Sequence, residues 1–160
     1  MGRKSTKENK NEYHLRREAV GFTRETASKA MDFVSADRIE KIENNRSLPH
    51  PEEILAMAKA YQAPDLCNYY CSHECPIGQE FVPPVQMKEL SQITLEMLAS
   101  LNALNQEKNR LIEITVDGHI SSDELADFRE IQKQLSQIAT AISSLQLWVQ
   151  QAIRDGKIEL

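Results

Sequence analysis

Glycine is scarce in this 160-residue chain, which has only five. That scarcity leaves no glycine-rich loop able to cradle phosphate and no nucleophile elbow. The histidines, His14, His50, His73 and His119, stand far apart. No nucleophile, base and orienting group come together in the sequence, so an enzyme is not expected. No apolar run approaches the roughly 20 residues that span a bilayer. The N-terminal MGRKSTKENKNEY also lacks the apolar core of a signal peptide. These absences point to a cytoplasmic protein with no membrane partner.

What is present is ordinary for a globular chain: 41% hydrophobic and 27% charged residues. The length suits one domain, or a small domain with an added oligomerisation element. The net charge of −5 is unevenly distributed. Residues 1–50 hold 11 Lys and Arg against 8 Asp and Glu, or +3; residues 51–160 hold 8 against 16, or −8. A basic front and an acidic remainder fit a polyanion-binding end on a solvated body.

Residues 1–11, with Arg3, Lys4, Lys7 and Lys10 among polar neighbours, read as a flexible basic arm able to contact phosphates. A helix is expected from about Asn11 to Val20, stopped by Gly21. Thr23 can cap the next helix, and Ser35 a third that carries Ile39 and Ile42 on one face. Asn44 and Asn45 suit the end of that third helix, because Asn tolerates left-handed backbone. Pro51 then suits the first turn of a fourth helix, with Glu52 and Glu53 against its dipole. Helix, short turn, helix and supporting helix is the order of a helix-turn-helix DNA reader.

The stretches GFTRETASKAM and VSADRIEKIENNRSLPHPEEILAMAKAY carry a closer likeness. Over residues 12–64 the chain resembles the Cro/phage-repressor (XRE) family of helix-turn-helix transcription regulators, with Ile39–Asn44 its most specific part. It departs from the family pattern at Arg24, where Gln is usual, and at Ser28, where Ala is usual. It departs again at Asp32-Phe33, which lengthens the turn, and at Asn45, where Gly is common. The resemblance implies an all-α, five-helix lambda-repressor-like domain with its third helix in the major groove of double-stranded DNA. Carried over by position, the DNA-binding residues are Arg24, Ser35, Ala36, Asp37, Arg38, Lys41, Asn45 and Arg46. Arg38 is suited to a bidentate pair with guanine, and Arg24, Lys41 and Arg46 to phosphates. Asp37 and Glu40 repel phosphate unless a cytosine N4 or a cationic neighbour satisfies them. The alternative is a degenerate helix-turn-helix that serves as a protein-interaction adaptor.

All three cysteines fall in DLCNYYCSHECPIG. Cys67, Cys71 and Cys75 at four-residue spacing would share one face of a single helix, ended by Pro76 and Gly78. With His73 or an outside ligand they could hold zinc or an iron–sulfur cluster, which would make the regulator metal- or redox-responsive. Equally, they could be small buried hydrophobes.

A proline-rich linker, residues 81–86, separates this head, residues 12–80, from the remainder, residues 87–160. Leucines and isoleucines at three- and four-residue spacing predict helices over 87–116 and 121–154, joined at Asp117-Gly118-His119. Together they make a long antiparallel αα-hairpin, expected to pair with another copy as a homodimer or to pack on the head, and to assemble the dimer or receive an effector. Residues 113–124 faintly resemble a calcium loop, but Ser121 with Glu124 also reads as a capping box.

Overall fold

The computed structural model describes residues 9–159, and among these it contains eight helices and no strand. The chain divides into two compact units. One runs through Pro84 and includes the tail from Gln150; the other is Val85–Val149.

The first unit opens with α1 (Glu12–Ala19), α2 (Arg24–Ala30) and α3 (Ala36–Glu43). Each begins on a short polar side chain. Asn11 accepts from the His14 N–H, Thr23 from Thr26 and Ser35 from Arg38. Such caps contribute about 1 kcal/mol each by satisfying an amide that the helix leaves unpaired. α4 (Pro51–Ala60) starts on Pro51, and the His50 N–H donates to the Glu53 carboxylate at 2.7 Å. Left-handed residues stop three of these four helices. Gly21 (φ 72°) follows α1, Asn45 (φ 55°) follows α3 and Gln62 (φ 54°) follows α4. In each case the next amide reaches back five residues, as in Phe22 N to Arg17 O at 3.2 Å. Asn45 thus meets the requirement that glycine usually meets here. Between α2 and α3, Asp32 takes the positive φ (52°) of the lengthened turn, which exposes Phe33 and buries Val34.

The first and third helices are tied by one side chain. The Asn11 amide donates to Ile42 O at 2.8 Å and to Asn45 Oδ1 at 2.9 Å. Lys10, expected in the flexible arm, is paired with Glu18 at 2.7 Å. Arg3, Lys4 and Lys7 lie outside the described residues. The apolar core gathers Tyr13, Ala27, Met31, Val34, Ile39, Ile42, Ile54, Met57 and Leu66. These are the inward positions of the 3.6-residue period.

The five helices expected of this unit are present, and a sixth follows them. α5 (Asp65–His73) ends at His73, and Pro76 begins α6 (Pro76–Phe81) instead of terminating a helix. Gly78 is the contact point. A Cβ there would sit 2.0 Å from the Cys71 carbonyl oxygen, so only glycine allows α6 to lie on the α5 backbone. The tail of the chain also belongs to this unit, since Arg154 Nη1 donates to Ala58 O at 3.0 Å.

The second unit is built from α7 (Leu90–Thr115) and α8, which runs Leu125–Arg154 and leaves the unit after Val149. Both helices begin a few residues later than the sequence pattern predicts. They form a hairpin with buried Ile93 and Ile114 on one helix and Ile131 and Ala141 on the other. Arg110 Nε reaches Asp127 at 2.7 Å near the turn. Among the described residues no helix is long and apolar enough to cross a membrane.

Candidate nucleic-acid interface

α3 is the element whose placement decides what the first unit offers a ligand. Its inner side holds Ile39, Ile42 and Glu43, all buried. Glu43 receives two guanidinium groups. Arg17 contributes both Nε and Nη2, the latter at 3.0 Å, and Arg24 Nε lies 2.9 Å away. His14 Nδ1 is 3.8 Å from the same carboxylate. Burial pushes the Arg17 guanidinium down, but the hydrogen bonds and charge of Glu43 outweigh that and leave it raised. A paired carboxylate of this kind fixes α3 against α1 and α2. The pairing also satisfies charges that would be costly to bury alone.

A second clamp holds the other edge of α3. Arg38 donates to both Glu53 oxygens at 2.7 Å, to the Ser47 hydroxyl and to Leu48 O at 2.9 Å. Burial raises the Glu53 carboxyl, but the hydrogen bond from Arg38 and the His50 amide hold it below the usual range. The role expected of Arg38 is a bidentate pair with guanine. As placed, its N–H groups donate to Glu53 at the α4 cap and to Ser47 and Leu48 in the loop between α3 and α4, so its fork is turned into the domain. The pattern of residue types could not show this, because Glu53 stands fifteen positions away.

The remaining expected residues spread around one outward edge. Ser35 is exposed but its hydroxyl caps α3. Ala36 is half-buried, while Asp37 and Lys41 are exposed one helical turn apart. Arg46 is exposed and lies 3.7 Å from Glu40, which also accepts from Asn44 at 3.2 Å. The Glu40 carboxylate is therefore partly neutralised. Asn45 is exposed, with its Oδ1 held by Asn11. Arg24 is half-exposed and shared with Glu43. Two residues that sequence reasoning missed are Arg17 and Glu43. The spacing that could have found them is Arg on the inner face of α1 with a buried Glu at the end of α3.

The cysteines do not make the shared face that their spacing suggested. α5 stops at His73, so Cys75 sits at the cap of α6, outside the helix that carries Cys67 and Cys71. All three are free, half-buried thiols. Burial raises Cys67 and Cys71, and each neighbouring thiol adds to the shift. His73 Nδ1 lies 3.1 Å from Tyr69 O and 2.8 Å from Ser72 Oγ, and its ring stacks on Tyr69. Among the described residues no three His, Cys, Asp or Glu side chains are grouped to hold a metal. Likewise Glu124, the last residue of the calcium-like loop, accepts from the Ser121 N–H at 3.0 Å and from its hydroxyl, just before α8.

Residues 14–66, about a third of the chain, match the family model of a helix-turn-helix domain. No curated protein and no solved structure matches the chain. The chain thus carries a helix-turn-helix domain, running from α1 to the start of α5, of the kind that serves DNA-binding regulators.

Proposed function

We propose that the protein is a sequence-specific, double-stranded-DNA-binding transcription regulator of the Cro/phage-repressor type, acting as a homodimer. The observation that carries this reading is the division of labour on α3. Its inner carboxylate and its flanking arginine are locked into the domain, and Asp37 and Lys41 alone point outward from its centre. A helix held this firmly delivers side chains to base edges without a large ordering cost.

In that role Asp37 accepts from cytosine N4, and Lys41 donates to guanine O6 or N7 on the groove edge. Ala36 is small enough to rest on a thymine methyl. Arg24, Ser35, Asn45 and Arg46 face the phosphates on either side and set the register. Arg38 acts as a positioning residue through Glu53.

The test is selection of a preferred duplex from random sequence, followed by fluorescence anisotropy over a salt series. Binding should weaken linearly in log–log form, by about 0.9 for every phosphate contacted. Arg46→Ala should weaken all duplexes alike and reduce that slope by about 1. Asp37→Ala should relax preference at one base pair, by about 1–3 kcal/mol. A protein with no preferred duplex at any salt would instead be an adaptor, and this reading would fail.

A further inference from the structure

The hairpin of the second unit has an apolar line that its own partner helix does not cover. On α7 the line facing α8 passes through Ile93, Met97, Leu104, Leu111 and Ile114, which are buried or half-buried. A second line of three- and four-residue steps, positions 90, 94, 98, 101, 105, 108 and 112, carries Leu90, Leu98, Leu101 and Ile112, all exposed. At 100° per residue it lies roughly a quarter-turn round the helix from the first. α8 repeats the arrangement. Ile131, Ile138 and Ala141 face inward, while Leu135 and Ile142 stand about a sixth of a turn from their mean direction and are 44% and 45% exposed.

The two offsets have the same sense along each chain, and the helices run antiparallel. Turns of the same sense about opposed axes, starting from facing seams, bring both second lines to the same side of the hairpin. That side is also nearly free of charge. Apart from Lys108, the positions on it that lie between Leu90 and Ile112 are Thr, Leu and Asn. The matching α8 positions from Phe128 to Val149 are Phe, Gln, Leu, Ala, Ile and Val. The charged residues of the hairpin, such as Glu96, Arg110, Glu113, Asp127 and Glu130, lie off this side.

We propose that this face is the homodimer interface, with two hairpins packing face to face into a four-helix bundle. The proposal rests on the dimeric regulator read above and assigns the surface that makes the dimer. Three features select a second copy as the occupant. The face spans two helices about 39 Å long at 1.5 Å per residue and about 18 Å wide, or about 700 Å². That is close to the roughly 800 Å² per partner of a standard stable interface. It has almost no charge for an unlike partner to recognise. Finally, a two-fold axis along the helices lays α7 of one copy on α8 of the other. Apolar line then meets apolar line, and the two Lys108 side chains stay on opposite sides of the bundle.

Sedimentation equilibrium of the full chain, without DNA, tests this. Wild type should have twice the 18.2 kDa chain mass, or 36.4 kDa, at micromolar concentration. Leu101→Glu with Ile142→Glu should shift it to 18.2 kDa, raising the dissociation constant by at least about 100-fold, with an unchanged helical circular dichroism spectrum. The milder Leu101→Ser should weaken the dimer in the same direction. Leu95→Glu, on the far side of α7, should leave the dimer intact. A monomeric wild type overturns the proposal, and so does a folded double variant that stays dimeric or a Leu95→Glu chain that dissociates equally. Because no DNA is present, such a failure leaves base reading untouched. A dimer that binds no preferred duplex would instead sink the proposed function alone.

Discussion

The two units bury opposite kinds of residue. The head encloses charge: Glu43 with Arg17 and Arg24, and Glu53 with Arg38, are set among apolar neighbours and satisfied by one another. The hairpin encloses almost none. Its buried polar side chains are Gln134 and Ser144, its ion pairs such as Arg110–Asp127 lie at the surface, and its second apolar line is outside. In the head, directional pairs lock one arrangement of helices, which a reading surface needs to hold its register. In the hairpin, non-directional heptad packing sets helices side by side and leaves surface for another chain.

Removing one partner from the head's network should give the largest effect. Glu43→Ala leaves the buried Arg17 guanidinium without its carboxylate, while Arg24 can turn to solvent. Breaking a buried pair in this way should cost about 3–5 kcal/mol, unfolding the head and abolishing DNA binding. Urea unfolding followed through the head and the hairpin separately would check it. A loss below about 1 kcal/mol would mean that the network contributes little beyond surface pairs.

The hairpin should respond to the opposite change. Gln134 Oε1 is buried without a hydrogen-bond partner. Gln134→Leu removes that unsatisfied atom and should raise stability by about 1 kcal/mol, read as a higher thermal midpoint. A drop would show that the glutamine sets the register of the seam.

The smallest effect is expected where the head holds a carboxyl without a cationic partner. Glu74 accepts from the Tyr13 hydroxyl at 2.9 Å. Burial raises its ionisation above the usual range, although the Tyr13 hydrogen bond and His73 pull it down. Since the folded value is raised, its contribution is complete below the unfolded value of about 4.3 and is lost as pH climbs through the folded value. Glu74→Gln keeps the acceptor and removes the charge. It should therefore stabilise the head at pH 7 and change nothing near pH 4. Equal effects at both pH values would rule out the titration.

Much of the helix order was legible in the residues. Thr23, Ser35 and Pro51 mark their helix starts because a cap is a local contract between one side chain and the next three amides. Gly21 and Asn45 mark ends for an equally local reason, the left-handed backbone. The heptad spacing of α7 and α8 announced a hairpin, since periodicity depends only on the helix itself. α6 was missed because Pro76 reads equally well as a stop and as a first turn. Only its contact with the Cys71 backbone through Gly78 shows which. The cysteines misled for the same reason. Their spacing would give a common face only in one unbroken helix, and the chain breaks between His73 and Pro76.

Local chemistry, then, determined where the helices of this protein begin and end, and which of their faces are apolar. Tertiary structure alone decided what the charges do. Arg38 and Lys41 are both cations on α3, three residues apart. Glu53, brought in by the fold of α4, captures the first and leaves the second facing solvent. Electrostatic pairing acts through space across a low-dielectric interior, so no pattern along the chain could have assigned it.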